Sequence, residues 1–130
     1  MQNVKPINPS PWSIQLGFDQ AQLIEGHQRV LVCSGQDAVD ADGNPQHPGD
    51  FAAQLDMALD NLEAVLAAAD MTLANVVRLN AYTTDVDKLL NTHFPAITNR
   101  FRDSRYATSV LGVAHLPAQF LVMLEATAVD

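Results

Sequence analysis

Tyr106-Ala107-Thr108-Ser109-Val110-Leu111-Gly112-Val113-Ala114-His115-Leu116-Pro117, running on to Leu121-Val122-Met123-Leu124-Glu125-Ala126-Thr127-Ala128, is the stretch whose reading decides the fold. It reads as two short strands joined by a Leu-Pro turn. Glu125 stands in the otherwise apolar second strand. A buried carboxylate is costly unless it is hydrogen-bonded or paired. Glu125 is therefore expected either to bind a backbone group or Arg78 structurally, or to serve as an acid/base.

Upstream, Asn75 to Thr83 reads as a third strand, with Val77, Leu79 and Ala81 alternating against Arg78, Asn80 and Tyr82, so that one face is wetter than the other. Between these strands lies a helix from about Lys88 to Phe101, capped by Asp85 or Asp87. Pro95 is tolerable only in a first turn or two, so this helix starts late or is kinked. The clearest helix is Asp50 to Ala69. Phe51, Leu55, Ala58, Leu59, Leu62, Val65, Leu66 and Ala69 form one apolar stripe, with Asp50 placed to cap its start. Phe18 to Glu25 and Arg29 to Ser34 read as strands, and the Gly26-His27-Gln28 link between them predicts a hairpin. Pro6, Pro9 and Pro11 favour an extended lead-in.

The order ββαβαββ over residues 1–130 predicts a single α+β domain of two layers, a sheet with two helices on one face. Its open face must carry a ligand or pack against other copies. Self-association is the expectation, because small domains gain core that way.

Composition narrows the function. A net charge of −8 and only seven Lys and Arg residues work against nucleic-acid binding, and the densest basic group is Arg100, Arg102 and Arg105. The acidic charge also disfavours anionic membrane surfaces. No apolar run approaches the ~20 residues that span a bilayer, and Met1 to Pro6 is not followed by the apolar segment of a signal peptide. Cys33 is the single cysteine, which suits a reducing cytoplasm. Asp40 to Pro45 is turn chemistry without the ligand spacing of a calcium loop. His27, His47, His93 and His115 share no metal-ligand spacing, so neither metal nor cofactor is expected.

Several landmarks recur together: Pro11-Trp12-Ser13, Val32-Cys33-Ser34-Gly35-Gln36, Asp60-Asn61-Leu62, Val76-Val77-Arg78-Leu79 to Thr84-Asp85, and the two C-terminal strands. In order and spacing, from Trp12 to Ala128, they resemble the Rid (YjgF-type) family of small trimeric enamine/imine deaminases. The resemblance implies a chorismate-mutase-like fold with a mixed sheet, a barrel of three subunits, and ligand sites in the clefts between neighbours.

In characterised deaminases of that family, an Arg in Pro-Ala-Arg-Ser grips the substrate carboxylate and a Glu in the last strand helps place water. A strand-end Ser-Gly, a Tyr and an Asn line the pocket. Here the Arg position is Thr108, the Glu position is Met123, the Tyr position is Trp12 and the Asn position falls on His93, while Ser34 and Gly35 are kept. Glu125 matches the second acidic residue of the family's Glu-x-Glu ending.

Each candidate also has a structural reading. Thr108 could be an ordinary β-branched sheet residue, Trp12 a packing anchor, and Arg105 a solvated loop residue rather than a substitute carboxylate partner. His93 is the acid/base candidate because imidazole titrates near ~6.5, although polar residues at helix starts are often surface or capping groups. Cys33 beside Ser34 lacks a partner at nucleophile spacing and reads as core.

The expected function is a Rid-like hydrolase acting on an imine, enamine or related small metabolite, weak on simple 2-imino acids, with His93 and Glu125 moving protons. Trp12, Ser34, Gly35, Thr108 and Arg105 would bind the substrate. The alternative is a trimer that binds a small molecule or partner without catalysis. RNA cleavage, a label attached to some family members, is disfavoured by the acidic charge.

Overall fold

A computed structural model describes residues 4–130. Two strands, β1 (Val4–Ile7) and β2 (Ala21–Ile24), flank a one-turn helix α1 (Trp12–Gln15) and pair antiparallel as a ribbon of their own. The main sheet contains β3 (Val30–Val32), β4 (Val76–Thr83), β5 (Ala107–Gly112) and β6 (Val122–Val129) in the order β3-β6-β4-β5. Only β4 and β5 run parallel, so the sheet is mixed.

Helix α2 (Phe51–Ala68) covers one face of this sheet. The Asp50 carboxylate accepts from the Ala53 amide at 3.1 Å, satisfying one of the amides left open at a helix start. Leu55, Leu59, Leu62 and Leu66 are wholly buried against Leu79, Ala81, Leu124 and Ala126 of β4 and β6. Each such leucine contributes about 1.5–3 kcal/mol of burial. Arg100 ties the second helical segment to α2, reaching Asp60 at 2.8 Å and Glu63 at 2.7 Å.

That second segment is interrupted. Asp85 accepts from the Lys88 amide at 3.0 Å and starts α3 (Val86–Lys88), a π turn follows over Leu89–His93, and α4 (Phe94–Phe101) completes it. Pro95 falls in the first turn of α4, where its missing N–H costs nothing. The break that Pro95 demands is met by one widened turn rather than by a later start.

The expected hairpin of Phe18 to Glu25 with Arg29 to Ser34 does not form. β2 pairs with β1 instead, while Val30, Leu31 and Val32 of β3 pair with Val129, Ala128 and Thr127 of β6. Two long-range sets of bonds outweigh chain proximity. Arg29 is ion-paired to Asp130, holding β3 to the far end of β6. The Gln22 amide donates to the Arg105 carbonyl at 2.8 Å and the Asp19 amide to the Tyr106 carbonyl at 3.0 Å, which fix the ribbon beside β5. The two C-terminal strands are not neighbours either, since β4 lies between them. Of the expected extended lead-in, Val4–Ile7 is the strand β1 and Met1 to Asn3 fall outside the described residues.

Candidate functional site

Side chains alternate between the faces of a strand, and β4 and β6 use this to separate two environments. Asn80 pairs with Glu125 and Tyr82 with Met123, all on the face away from α2. The Tyr82 hydroxyl donates to Glu125 Oε1 at 2.7 Å, and the Asn80 amide donates to the same oxygen at 3.2 Å. These bonds, led by Tyr82, hold the Glu125 carboxyl below the usual glutamate range. The same bond pushes the Tyr82 phenol up. Arg78 lies on this face too, donating to Ser109 Oγ at 3.2 Å and adding a favourable charge near Glu125. Glu125 is thus held by a phenol and an amide, with Arg78 acting on it only through its field. The arrangement is an ionised carboxylate beside a neutral phenol, suited to steady a cationic nitrogen and to hold a water molecule.

Ser34 and Gly35 run alongside. The Gln36 backbone N–H donates to the Leu124 carbonyl at 2.6 Å and the Leu124 N–H donates back to the Gln36 carbonyl at 2.9 Å, which extends the β3 edge along β6. A Cβ added at Gly35 would lie 2.3 Å from Met123 Sδ, so glycine is what lets Met123 lie against this edge. A hollow of about 280 Å³ next to them is lined by Val32, Cys33, Arg78, Asn80, Glu125 and Thr127.

Thr108 is on the other face, paired with Leu79, and its hydroxyl donates to the Leu79 carbonyl at 2.5 Å. It borders a cleft of about 740 Å³ that also takes in Trp12, Phe18, Leu90, Phe94 and Val110. The Trp12 and Phe18 rings meet edge to face, with centroids 5.5 Å apart. Trp12 and Thr108, far apart in sequence, are therefore brought together.

The remaining candidates are not. The His93 ring stacks on Phe51 of α2, with centroids 4.7 Å apart, and does not line the cleft. Arg105 borders a separate polar cleft of about 580 Å³ with Asp19, Gln22 and Arg102, rather than the cleft beside Thr108. Tyr82 and Asn80 are the members the sequence reading missed. Their position on the wetter side of β4 was visible, but only the β4–β6 register brings them onto Glu125. Among the described residues no group of three or more His, Cys, Asp or Glu side chains could hold a metal ion.

The profile of the endoribonuclease L-PSP family matches residues 18–130. The chain belongs to the Rid (YjgF-type) family. It is similar to the 2-iminobutanoate/2-iminopropanoate deaminase of Escherichia coli, with 30% identity over 105 residues, or 77% of this chain and 79% of that protein. Among solved structures it resembles the Rid-family protein YyfB of Yersinia pestis, a protein of unknown function. That match has a TM-score of 0.88 and 32% identity, and it covers 98% of this chain and 99% of the other. RidA from the Antarctic bacterium Psychrobacter shares the fold at a TM-score of 0.72 and 21% identity over the whole of both chains. The α+β fold with a mixed sheet is thus the chorismate-mutase-like fold of Rid proteins. No helix among the described residues is long and apolar enough to cross a membrane.

Proposed function

We propose that this Rid protein is a hydrolase of an imine or enamine, with a pocket shared between two copies of the chain. One observation carries the shared pocket: Trp12 and Thr108 lie on the opposite side of the sheet from Gly35, Met123 and Glu125. One chain cannot close these walls around one ligand. Joining the β5 side of one copy to the β3 side of the next is a head-to-tail contact, which closes as a ring. A homotrimer is the ring that the family resemblance implies.

In the proposed reaction, water adds across the C=N bond, and the carbinolamine collapses to a carbonyl compound and ammonia. The Glu125 carboxylate steadies the protonated imine nitrogen and orients the attacking water, while Tyr82 passes a proton through its hydroxyl. Of the two proton carriers nominated by the sequence, Glu125 fits this role better. His93 is held on Phe51 by ring stacking. Thr108 lacks the charged fork of an arginine. A charge-assisted bond contributes ~1.5–3 kcal/mol against ~1 for a neutral one, so affinity for a carboxylate falls on the order of ten- to a few-hundred-fold.

Mixed assembly tests the shared pocket. Thr108→Trp blocks one wall and Glu125→Gln disables the other, and each variant alone should release little ammonia from an imine substrate. Mixed in equal amounts, they regain about a quarter of wild-type turnover, the share of sites with two intact walls in a ring. Absence of recovery despite subunit exchange would overturn it.

A second reading is favoured by Thr108 and Met123, which replace both family residues that act on substrate. In that reading the same assembly binds a small molecule or partner without consuming it. Ligand binding with no ammonia release would select it. RNA cleavage has little support: net charge is −8 and Arg100 is tied to Asp60 and Glu63. We place the protein in the cytoplasm, where a lone buried Cys33 stays reduced.

A further inference from the structure

The cleft beside Thr108 contains no charged side chain. Its polar members are Gln15, Thr98 and Thr108, with the indole N–H of Trp12. Both hydroxyls are already spent as donors, Thr98 to the Pro95 carbonyl at 3.3 Å and Thr108 to the Leu79 carbonyl at 2.5 Å. What remains for a ligand is two neutral donors, the indole and the Gln15 amide, in a wall of Leu16, Phe18, Leu90, Phe94 and Val110. A carboxylate placed there would give up part of its water and gain no cation in return. The guanidinium nearest the other proposed wall, Arg78, is bonded to Ser109 and sits in the field of Glu125. It offers no unopposed positive charge.

We infer that this cleft selects an imine with uncharged aromatic or branched substituents and no carboxylate. The inference rests on the proposed hydrolase reading for its C=N group, but the selectivity belongs to the cleft itself. A volume of about 740 Å³ is ample for a substituted ring. Trp12, 53% exposed where it lines the cleft, is an aromatic surface for that ring, and its N–H suits the carbonyl oxygen of a neutral ketone or aldehyde product.

Trp12 is the only tryptophan in the chain, so its fluorescence reports occupancy of this cleft directly. Benzamide and benzoate present the same ring, one neutral and one anionic. Wild-type protein should show a saturable change with benzamide at a Kd at least tenfold below that for benzoate. Thr108→Arg should reverse the order. Leu90→Lys, at a 47% exposed rim position that tolerates a charge, should weaken benzamide and strengthen benzoate. Equal or tighter benzoate binding in wild type overturns the inference, as does the lack of any saturable change.

Ammonia release separates this inference from the reading beneath it. The imines to compare are those formed by oxidase action on 1-phenylethylamine and on alanine. Faster release from the neutral imine supports both. Faster release from 2-iminopropionate upholds the hydrolase and sinks the selectivity. Preferential benzamide binding with no turnover of either imine upholds the selectivity and sinks the hydrolase.

Discussion

Leu79, Ala81, Leu124 and Ala126 share β4 and β6 with Asn80, Tyr82 and Glu125, one residue apart in each case. The first set is sealed beneath α2, and the second carries a hydrogen-bonded carboxylate on the uncovered face. Where a helix covers the sheet, packing leaves only size to choose. Where no helix covers it, polar groups are kept that largely satisfy one another, as Asn80 and Tyr82 do Glu125, until a ligand or second copy arrives. Val32, 77% exposed on the same side, shows that this face is not simply a solvated surface.

The sharpest way to break this contrast is Leu124→Ala. It should lower stability by about 2–5 kcal/mol in denaturant titration, and a loss below ~1 would mean the covered face is loosely packed. Gly35→Ala should cost about 1 kcal/mol, because what it forces aside is the flexible end of Met123. Adding Met123→Ala should recover most of that, and an additive double variant would show that the two residues do not touch. His93→Ala removes a stacked ring and should cost about 1 kcal/mol while leaving ammonia release within about twofold. A collapse of turnover at unchanged stability would make His93 the proton carrier after all.

Tyr82→Phe has the smallest expected effect, about 1 kcal/mol or less, because the bond it removes is partly exposed. Its pH dependence is more telling. The Glu125 carboxyl titrates lower in the folded chain than its ordinary value of about 4.3. Its contribution is therefore complete above that value and disappears as pH falls through the folded value. The stability gap between wild type and Tyr82→Phe should close in acid. A gap that persists below that range would mean Glu125 is not what Tyr82 stabilises.

Period and capping made the fold's interior legible. The stripe from Phe51 to Leu66 with Asp50 at its start, and the alternation from Val76 to Thr83, are local signals. The placement of β2 and β3 was not legible, because it depends on Gln22 meeting Arg105 and Arg29 meeting Asp130, contacts between residues distant in the chain. For the candidate site, Glu125 was visible as a carboxylate in an apolar strand. Its partners required the register of two strands whose order no local pattern encodes. Trp12 and Thr108 came together only through the family likeness, since nothing in their own neighbourhoods points one at the other.

The π turn at Leu89–His93 has a consequence for how such a cleft can change. Leu90 lies within the turn, and Phe94, Pro95 and Thr98 follow it, so four lining side chains take their angular phase from one widened loop of backbone. Removing one residue there would restore ordinary α winding and leave the side chains downstream nearly in phase, because a π turn is how a helix takes up one extra residue. Asp85 upstream and the sheet beneath would keep their places. A single-codon deletion thus becomes a local edit, reshaping the rim at Leu90 while Phe94, Pro95 and Thr98 go on facing a ligand.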